Sequence, residues 1–147
     1  MRMEKYYKSK SWEEVEEGEL LPEINMFISY RKVIQNVVAT RDFFPGHHNP
    51  EYARAQGVEN IYLQTHFFLG IVDRLVTDAF GPTVLIKRRR VQMLAPIPAG
   101  SKITVFGRVS RKYVENGEKL VDVDVSIVRR DKFYEACKAI VTALFSK

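Results

Sequence analysis

An acidic side chain and an imidazole lie five residues apart in the sequence, as Asp42 and His47. Imidazole titrates near neutral pH and a carboxylate can orient water or accept its proton, so the pair suits proton transfer. A Pro-Gly break between them predicts a loop that can direct both side chains into one pocket. A structural interpretation is also open, in which Asp42 pairs with Arg41 or caps the next turn and His47 is an exposed loop residue.

The histidines do not match a familiar metal site. His47 and His48 are adjacent, so their side chains point in different directions, and His66 and Cys137 do not complete any common ligand spacing. We therefore expect no metal. Because Cys137 is the single cysteine, a disulfide scaffold is excluded.

Helices in the first half of the chain are predicted to position the pair. Ser29 can cap a helix with apolar residues at helical spacing, which must end before Pro45. Asn49, followed by proline and glutamate, predicts the start of a short second helix that ends near Gly57. A long helix from about Thr65 to Phe80 has a wide apolar surface and a narrow polar stripe, which predicts that other elements wrap around it.

The second half changes to the period of strands. Apolar residues alternate with polar ones over 103–109 and 121–127, and an Asn-Gly pair at 116–117 predicts the hairpin turn between them. Further strands are expected at about 83–93 and 132–145, the latter apolar on both faces and therefore central. The fold class predicted is α+β, with a buried helix against a curved antiparallel sheet.

Length and composition limit the kind of protein. The chain has 147 residues and a formal net charge of +5, so one domain with a basic surface suited to anionic partners is expected. The sequence has neither an apolar run of membrane-spanning length nor an apolar N-terminus like that of a secretion signal. This predicts a cytoplasmic protein with no membrane partner. The basic run 87–90 has no interleaved aromatic residues, so no nucleic-acid partner is expected.

Several segments resemble the MaoC-like hot-dog family of (R)-specific enoyl-CoA hydratases and dehydratases. Residues 42–53 (DFFPGHHNPEYA) are similar to the family motif Asp-x-Asn-Pro-x-His, commonly followed by x-Asp-Pro-x-Tyr-Ala. The likeness continues through the central helix at 69–81, a Pro-x-Pro strand entry at 95–103 and a leader at 11–19. It covers most of the chain in order, and it implies a single hot-dog domain over residues 1–147.

Two positions depart from the family pattern. The motif asparagine is replaced by Phe44, and the usual Ala-His-Gly before the central helix is Leu63-Gln64-Thr65. Both changes resemble the small subunit of the two-subunit hydratases that act on steroid side-chain CoA thioesters. The resemblance implies either a homodimer or a heteromer with a second hot-dog subunit.

The resemblance also implies a mechanism. Water adds to a trans-2-enoyl-CoA to give a (3R)-3-hydroxyacyl-CoA, with Asp42 and His47 holding the water; the acid and base roles stay open. A backbone N–H at the start of the central helix, that of Thr65 by position, would stabilise negative charge on the thioester oxygen. Coenzyme A enters as part of the substrate, so no separate cofactor is expected.

Weaker candidates surround this core of the site. Phe44 and His48 are possible substrate contacts, although His48 suits a supporting or surface position better. Arg88 and Arg90 alternate outward and could meet the CoA phosphates, although a solvated basic face is the better explanation of this run. The phenylalanines near the motif are expected in the core or lining an acyl tunnel: Phe43, Phe44, Phe67 and Phe68.

Two other functions stay open beside the hydratase. A hot-dog acyl-CoA thioesterase would more often use a carboxylate on the central helix, where Asp73 is the residue to suspect. A non-catalytic or half-site subunit of a heteromeric hydratase is favoured by the loss of the motif asparagine at Phe44. The sequence does not identify the acyl group, whether of fatty-acid or steroid side-chain type.

Overall fold

A computed structural model describes residues 8–145 of the chain. Residues 1–7 and 146–147 lie outside the described part, so the expectation that Met1 does not begin a secretion signal, and the ends of the predicted domain, fall outside it too. Among residues 8–145, no helix combines the length and apolar character that crossing a bilayer requires.

Residues 8–145 contain three α-helices, and side-chain caps begin the first two of them. Helix α1 spans Tyr30–Thr40, and the Ser29 hydroxyl accepts a hydrogen bond from the Lys32 N–H at 3.1 Å. Helix α2 spans Pro50–Ala55, with the Asn49 side chain accepting from two N–H groups of its first turn. Helix α3 spans Thr65–Phe80 and ends at Gly81, as its apolar pattern and the Gly-Pro stop predict.

In the described part of the chain, five antiparallel strands make one sheet. The strands are β1 (Ile24–Phe27), β2 (Leu85–Met93), β3 (Lys102–Glu115), β4 (Glu118–Arg129) and β5 (Tyr134–Phe145), in the spatial order β1-β3-β4-β5-β2. The predicted Asn-Gly turn joins β3 to β4, and both of its residues have positive φ (52° and 77°), as a type I′ turn requires. The predicted α+β class with an antiparallel sheet is confirmed.

The sheet differs from the sequence-based prediction in two respects. Strand β1 precedes α1 and was not predicted. It has only four residues, which is too short for an alternating pattern to be recognised. Strand β5 pairs with strands on both sides, but the middle of the sheet is β4, so the prediction that 132–145 is the central strand was wrong. Small side chains at Ala136, Ala139 and Ala143 bury easily and do not require the central position.

Helix α3 lies against the inner face of the sheet and forms the core with it. Its apolar residues are almost completely buried: Phe68, Ile71, Val72, Leu75, Val76 and Phe80. The alternating valines and isoleucine of β4 are buried on the facing side: Val121, Val123, Val125 and Ile127. The wrapped helix predicted from the narrow polar stripe is therefore confirmed, and burial of both elements leaves the start of α3 fixed at one end of the sheet.

The described segment before β1 begins near the C-terminal end of α3 and continues along the β3–β4 hairpin. The Lys10 N–H donates to the Phe80 carbonyl at 2.8 Å, and the Gly18 N–H donates to the Val109 carbonyl at 2.8 Å. The Trp12 indole Nε1–H donates to the Leu120 carbonyl at 3.1 Å, and the Lys112 ammonium lies 4.3 Å from the indole centroid. These contacts attach the segment to the β3–β4 hairpin.

Candidate active site

The loop between α1 and α2 places the predicted acid–histidine pair. Helix α1 ends when Arg41 adopts a left-handed conformation with φ 56°, and a single 3-10 turn over Pro45–His47 follows. The Asp42 Oδ1 accepts a hydrogen bond from the Phe44 N–H at 3.3 Å, so the carboxylate also caps its own turn. The loop thus brings two side chains together that a continuous helix would separate.

His47 is held in one tautomer by a backbone carbonyl. Its side chain is only 9% exposed, and its Nδ1 lies 2.7 Å from the Tyr62 carbonyl oxygen. Because a carbonyl can only accept, Nδ1 must be the protonated nitrogen, and Nε2 is then the nitrogen that lies 3.6 Å from Asp42 Oδ2. The structural alternative of an exposed loop histidine is wrong.

Close packing between Gly46 and Tyr62 keeps this arrangement rigid. A Cβ at position 46 would lie 2.3 Å from the Tyr62 hydroxyl oxygen, so only glycine fits there. That hydroxyl donates to Gln56 Oε1 at 2.9 Å, and burial raises the pKa of the Tyr62 phenol above its ordinary value. Tyr62, whose backbone carbonyl orients His47, is therefore held by the packing of its ring against Gly46 and by the hydrogen bond of its hydroxyl to Gln56.

An apolar cavity of about 420 Å³ lies beside the histidine. Its walls come from the loop, the start of α3 and the end of β2: Phe44, His47, Tyr62, Leu63, Thr65, Phe68, Met93, Leu94, Ala95 and Pro96. Phe44 contacts the imidazole edge-on, with ring centroids 5.5 Å apart. A cavity of this kind, mostly apolar with one titratable group, is suited to a hydrophobic acyl group next to a reacting centre.

The start of α3 also borders the cavity. Thr65 is the first helical residue, and among the described residues no backbone carbonyl accepts from its N–H. Free N–H groups in a first helical turn, together with the helix dipole, favour negative charge at that position. Thr65 and His47 thus border the same cavity, as the mechanism implied by the family resemblance requires.

Other predicted residues lie elsewhere. The His48 Nε2 lies 2.9 Å from the Phe43 carbonyl oxygen, so its ring does not converge with that of His47. Phe43 is 65% exposed, and the expectation of a core or tunnel position for it is wrong, because the turn directs its ring outward. Phe68 is a core residue with 2% exposure, Phe67 is partly buried against the core, and Phe44 lines the cavity.

The two arginines proposed for the CoA phosphates lie on the outer face of the sheet. Arg88 donates to the Tyr113 hydroxyl at 2.7 Å and forms an ion pair with Glu115 at 3.5 Å. Arg90 borders a separate depression with Ile140 on that face. Neither arginine borders the cavity beside His47.

Asp73 is part of an ion pair instead of the cavity wall. Its Oδ2 accepts from Arg89 at 2.5 Å, while its Oδ1 is buried and has no hydrogen-bond partner in the part of the chain that the structure describes. Burial raises the pKa of the Asp73 carboxyl, and the Arg89 charge opposes that shift. Asp73 is therefore separated from the histidine, the cavity and the free N–H groups.

Two contributors to this site were not predicted from the sequence. Tyr62 acts through its backbone carbonyl, which leaves no signature in residue type. Gln64, with 1% exposure, lies just before Thr65 and contacts α1. Its replacement of the family histidine is the signal that could have identified it.

Comparison with known proteins identifies relatives. No protein-family model matches the chain. The β subunit of the 3-oxo-4,17-pregnadiene-20-carboxyl-CoA hydratase of Mycobacterium tuberculosis (strain ATCC 25618 / H37Rv) is 34% identical over 93 residues, which are 63% of this chain and 72% of the relative.

Solved structures agree with this result. The crystal structure of the ChsH1–ChsH2 complex from Mycobacterium tuberculosis matches with a TM-score of 0.80 and 30% identity, over 90% of this chain and 99% of that chain. The R-hydratase PhaJ1 from Pseudomonas aeruginosa shares the fold, with a TM-score of 0.82 and 14% identity over 93% of this chain and 86% of that chain. The chain belongs to the MaoC-like hot-dog family of hydratases and dehydratases, which are hydro-lyases.

Proposed function

We propose that the chain catalyses the addition of water to a trans-2-enoyl-CoA thioester, or the reverse dehydration. The observation that supports this most directly is the 3.6 Å separation of His47 Nε2 and Asp42 Oδ2, beside an apolar cavity. A single water can donate one hydrogen to each of two such acceptors. The pair would then orient the water oxygen toward the β-carbon of a substrate in the cavity.

The proposed reaction balances through one exchange of protons. The water oxygen bonds to the β-carbon while one member of the Asp42–His47 pair takes a proton from it. That proton passes to the other member, which delivers it to the α-carbon, so both side chains return to their starting states. The α-carbon receives its proton as the electron pair of the double bond moves through an enolate-like state.

Negative charge develops on the thioester oxygen in that state. We place the oxygen at the backbone N–H of Thr65, where the first turn of α3 supplies a free donor and a favourable dipole. The contact comes from the backbone, so the replacement of the family glycine by threonine preserves it. One such donor typically lowers the barrier by about 3–4 kcal/mol.

The names of the relatives support a substrate class for the proposal. The M. tuberculosis relative is named as a hydratase of a pregnadiene carboxyl-CoA and as a β subunit. We propose by analogy a CoA thioester with a bulky acyl group, and an assembly with a second hot-dog subunit. No cofactor beyond the CoA of the substrate is required.

Two variants of the purified chain test the proposal. Asp42→Asn and His47→Gln should each lower enoyl-CoA hydration by at least about 100-fold, the contribution typical of a general acid or base. The assay follows loss of the enoyl thioester absorbance with crotonyl-CoA and with a bulky enoyl-CoA. His48→Gln is the matched control, because that ring binds the carbonyl of Phe43 in the loop, and it should retain near-normal turnover.

The outcomes separate the open alternatives. Near-normal hydration in either test variant would contradict the assigned roles. Release of free CoA thiol that is lost in Asp73→Asn and retained in Asp42→Asn would instead establish the thioesterase alternative. A folded chain without turnover would favour a half-site subunit, and capture of a partner would then be the next measurement.

A further inference from the structure

The Gln64 side chain connects the two halves of the candidate site. It is 1% exposed, and its Nε2 donates to the Asn36 carbonyl at 3.0 Å and to the Thr40 hydroxyl oxygen. Thr40 in turn donates to the Asn36 carbonyl at 2.7 Å. One amide therefore binds the last turn of α1 to the residue that precedes α3.

The oxygen of the Gln64 amide indicates that the two hydrogen bonds of Nε2 are the reason for a glutamine at this position. Gln64 Oε1 is buried and has no hydrogen-bond partner among residues 8–145. Reversing the amide would place this oxygen against the Asn36 carbonyl, so the orientation is fixed by two acceptors that need a donor. A buried acceptor without a partner is unfavourable, and an apolar side chain of similar size would avoid it.

The positions joined by the amide determine the geometry of the site. Helix α1 ends at Thr40, two residues before Asp42, and Gln64 is directly followed by Thr65. The distance between the acid–histidine pair and the free N–H at the start of α3 therefore depends on how these two helix ends are attached. Among the side-chain hydrogen bonds of residues 8–145, those of Gln64 are the ones that join α1 to the N-terminus of α3.

We infer that Gln64 is a positioning residue that sets the distance between the Asp42–His47 pair and the Thr65 N–H. This inference rests on the proposed hydratase function. The side chain does not touch the substrate; it acts by keeping the water-binding pair and the oxyanion donor in register with one thioester. A displacement of about 1 Å between such groups can lower a rate by about 100-fold.

Gln64→Met provides the first test, since methionine keeps the volume and removes the donor. We expect kcat to fall by about 10- to 100-fold with little change in KM, because binding of the acyl group does not depend on this distance. Thr142→Val is the matched control, as Thr142 is another buried hydroxyl, 3% exposed, which donates to Asp122 on the outer face of the sheet. Thr142→Val should retain the kcat of the unchanged chain, even if its melting temperature is as low as that of Gln64→Met.

Gln64→Glu adds a second measurement, the pH dependence of kcat, which a purely structural role would not change. An ionised glutamate would face the Asn36 carbonyl with an acceptor, whereas the protonated acid can donate one hydrogen bond to it. The kcat of this variant, divided by that of the unchanged chain at the same pH, should therefore rise as the pH is lowered from 8 to 5. The corresponding ratio for Gln64→Met should stay constant.

The outcomes for this inference differ from those for the function. Loss of turnover in Asp42→Asn, together with an unchanged kcat in a folded Gln64→Met variant, would overturn the positioning role alone. Equal pH dependence of the Glu and Met ratios would also overturn it. Retention of turnover in Asp42→Asn, or absence of turnover in the unchanged chain, would overturn the catalytic assignment and the positioning role with it.

Discussion

At the scale of single residues, the site depends on Gly46, a residue without a side chain. Gly46 leaves room for the Tyr62 ring, and the Tyr62 carbonyl fixes the tautomer of His47. We predict that Gly46→Ala displaces Tyr62 and lowers the free energy of unfolding by about 1–3 kcal/mol, as overpacking typically does. Urea titration measures the stability, and enoyl-CoA hydration should fall further than the stability alone explains.

A second glycine separates these effects. Gly70 lies in α3, and a Cβ there would meet nothing within 4 Å, so Gly70→Ala should slightly stabilise the helix and leave turnover unchanged. The explanation by Tyr62 would be wrong if Gly46→Ala kept both stability and activity. Tyr62→Phe/Gly46→Ala should recover part of the lost stability, because it removes the hydroxyl oxygen nearest to the new methyl group.

At the scale of the elements, Arg129 joins the loop before α3 to the β4–β5 turn. Its guanidinium is 7% exposed and binds Glu59 at 2.5 Å and Asp131 at 2.9 Å. It also donates to the Tyr134 hydroxyl, which donates to the Pro96 carbonyl at the cavity wall. Hydrogen bonds from Arg129 lower the pKa values of both the Glu59 and the Asp131 carboxyls.

This network predicts a loss of stability in acid. Because the two carboxyl pKa values are lower in the folded chain than in the unfolded chain, the unfolded chain binds more protons as the pH falls. The stabilisation is fully present above about pH 5 and is lost as the pH falls through about 4 and below, toward the folded pKa values. Urea midpoints measured from pH 7 to pH 3 should decrease accordingly.

Neutral replacements provide the control for that prediction. Glu59→Gln/Asp131→Asn should flatten the acid decrease of the urea midpoint and lower the midpoint at pH 7. Glu23→Gln, at an exposed position before β1, should leave the whole curve unchanged. An equal acid slope in the double variant and the unchanged chain would assign the pH dependence to other groups.

At the scale of the whole molecule, the sheet ends in two edge strands. Within residues 8–145, strands β1 and β2 each have one unpaired edge, and apolar side chains near the cavity are exposed, with Leu94 at 45% and Met93 at 49%. Unpaired edges and apolar surface favour association with another sheet. We predict that the purified chain forms at least a dimer, with a mass of twice 17.0 kDa or more by light scattering at micromolar concentration.

A charge at the cavity mouth should disrupt that assembly. Leu94→Asp is expected to shift the mass toward one chain, because a buried aspartate without a partner is unfavourable. Phe133 is 90% exposed in the β4–β5 turn, and Phe133→Ser should leave the assembly intact. A monomer for the unchanged chain would refute self-association and leave a second hot-dog subunit as the expected partner.

The sequence and the structure agree most where local rules are strong. Helix α3 has the predicted bounds, because an uninterrupted apolar pattern meets a Gly-Pro stop. Asp42 and His47 also lie close together as the loop predicts, because both side chains belong to one short segment. The partner of His47 was not predictable, since the carbonyl of Tyr62 comes from fifteen residues away and every residue has a carbonyl.

Trp12 gives the molecule an internal optical probe. It is the single tryptophan, and its indole contacts Lys112 while its N–H binds the β3–β4 hairpin. Its fluorescence therefore reports whether the segment before β1 is attached, whereas circular dichroism reports the helices and the sheet. A change in tryptophan emission at lower urea than the loss of ellipticity would reveal that this segment detaches as a separate step, before the rest of the protein unfolds.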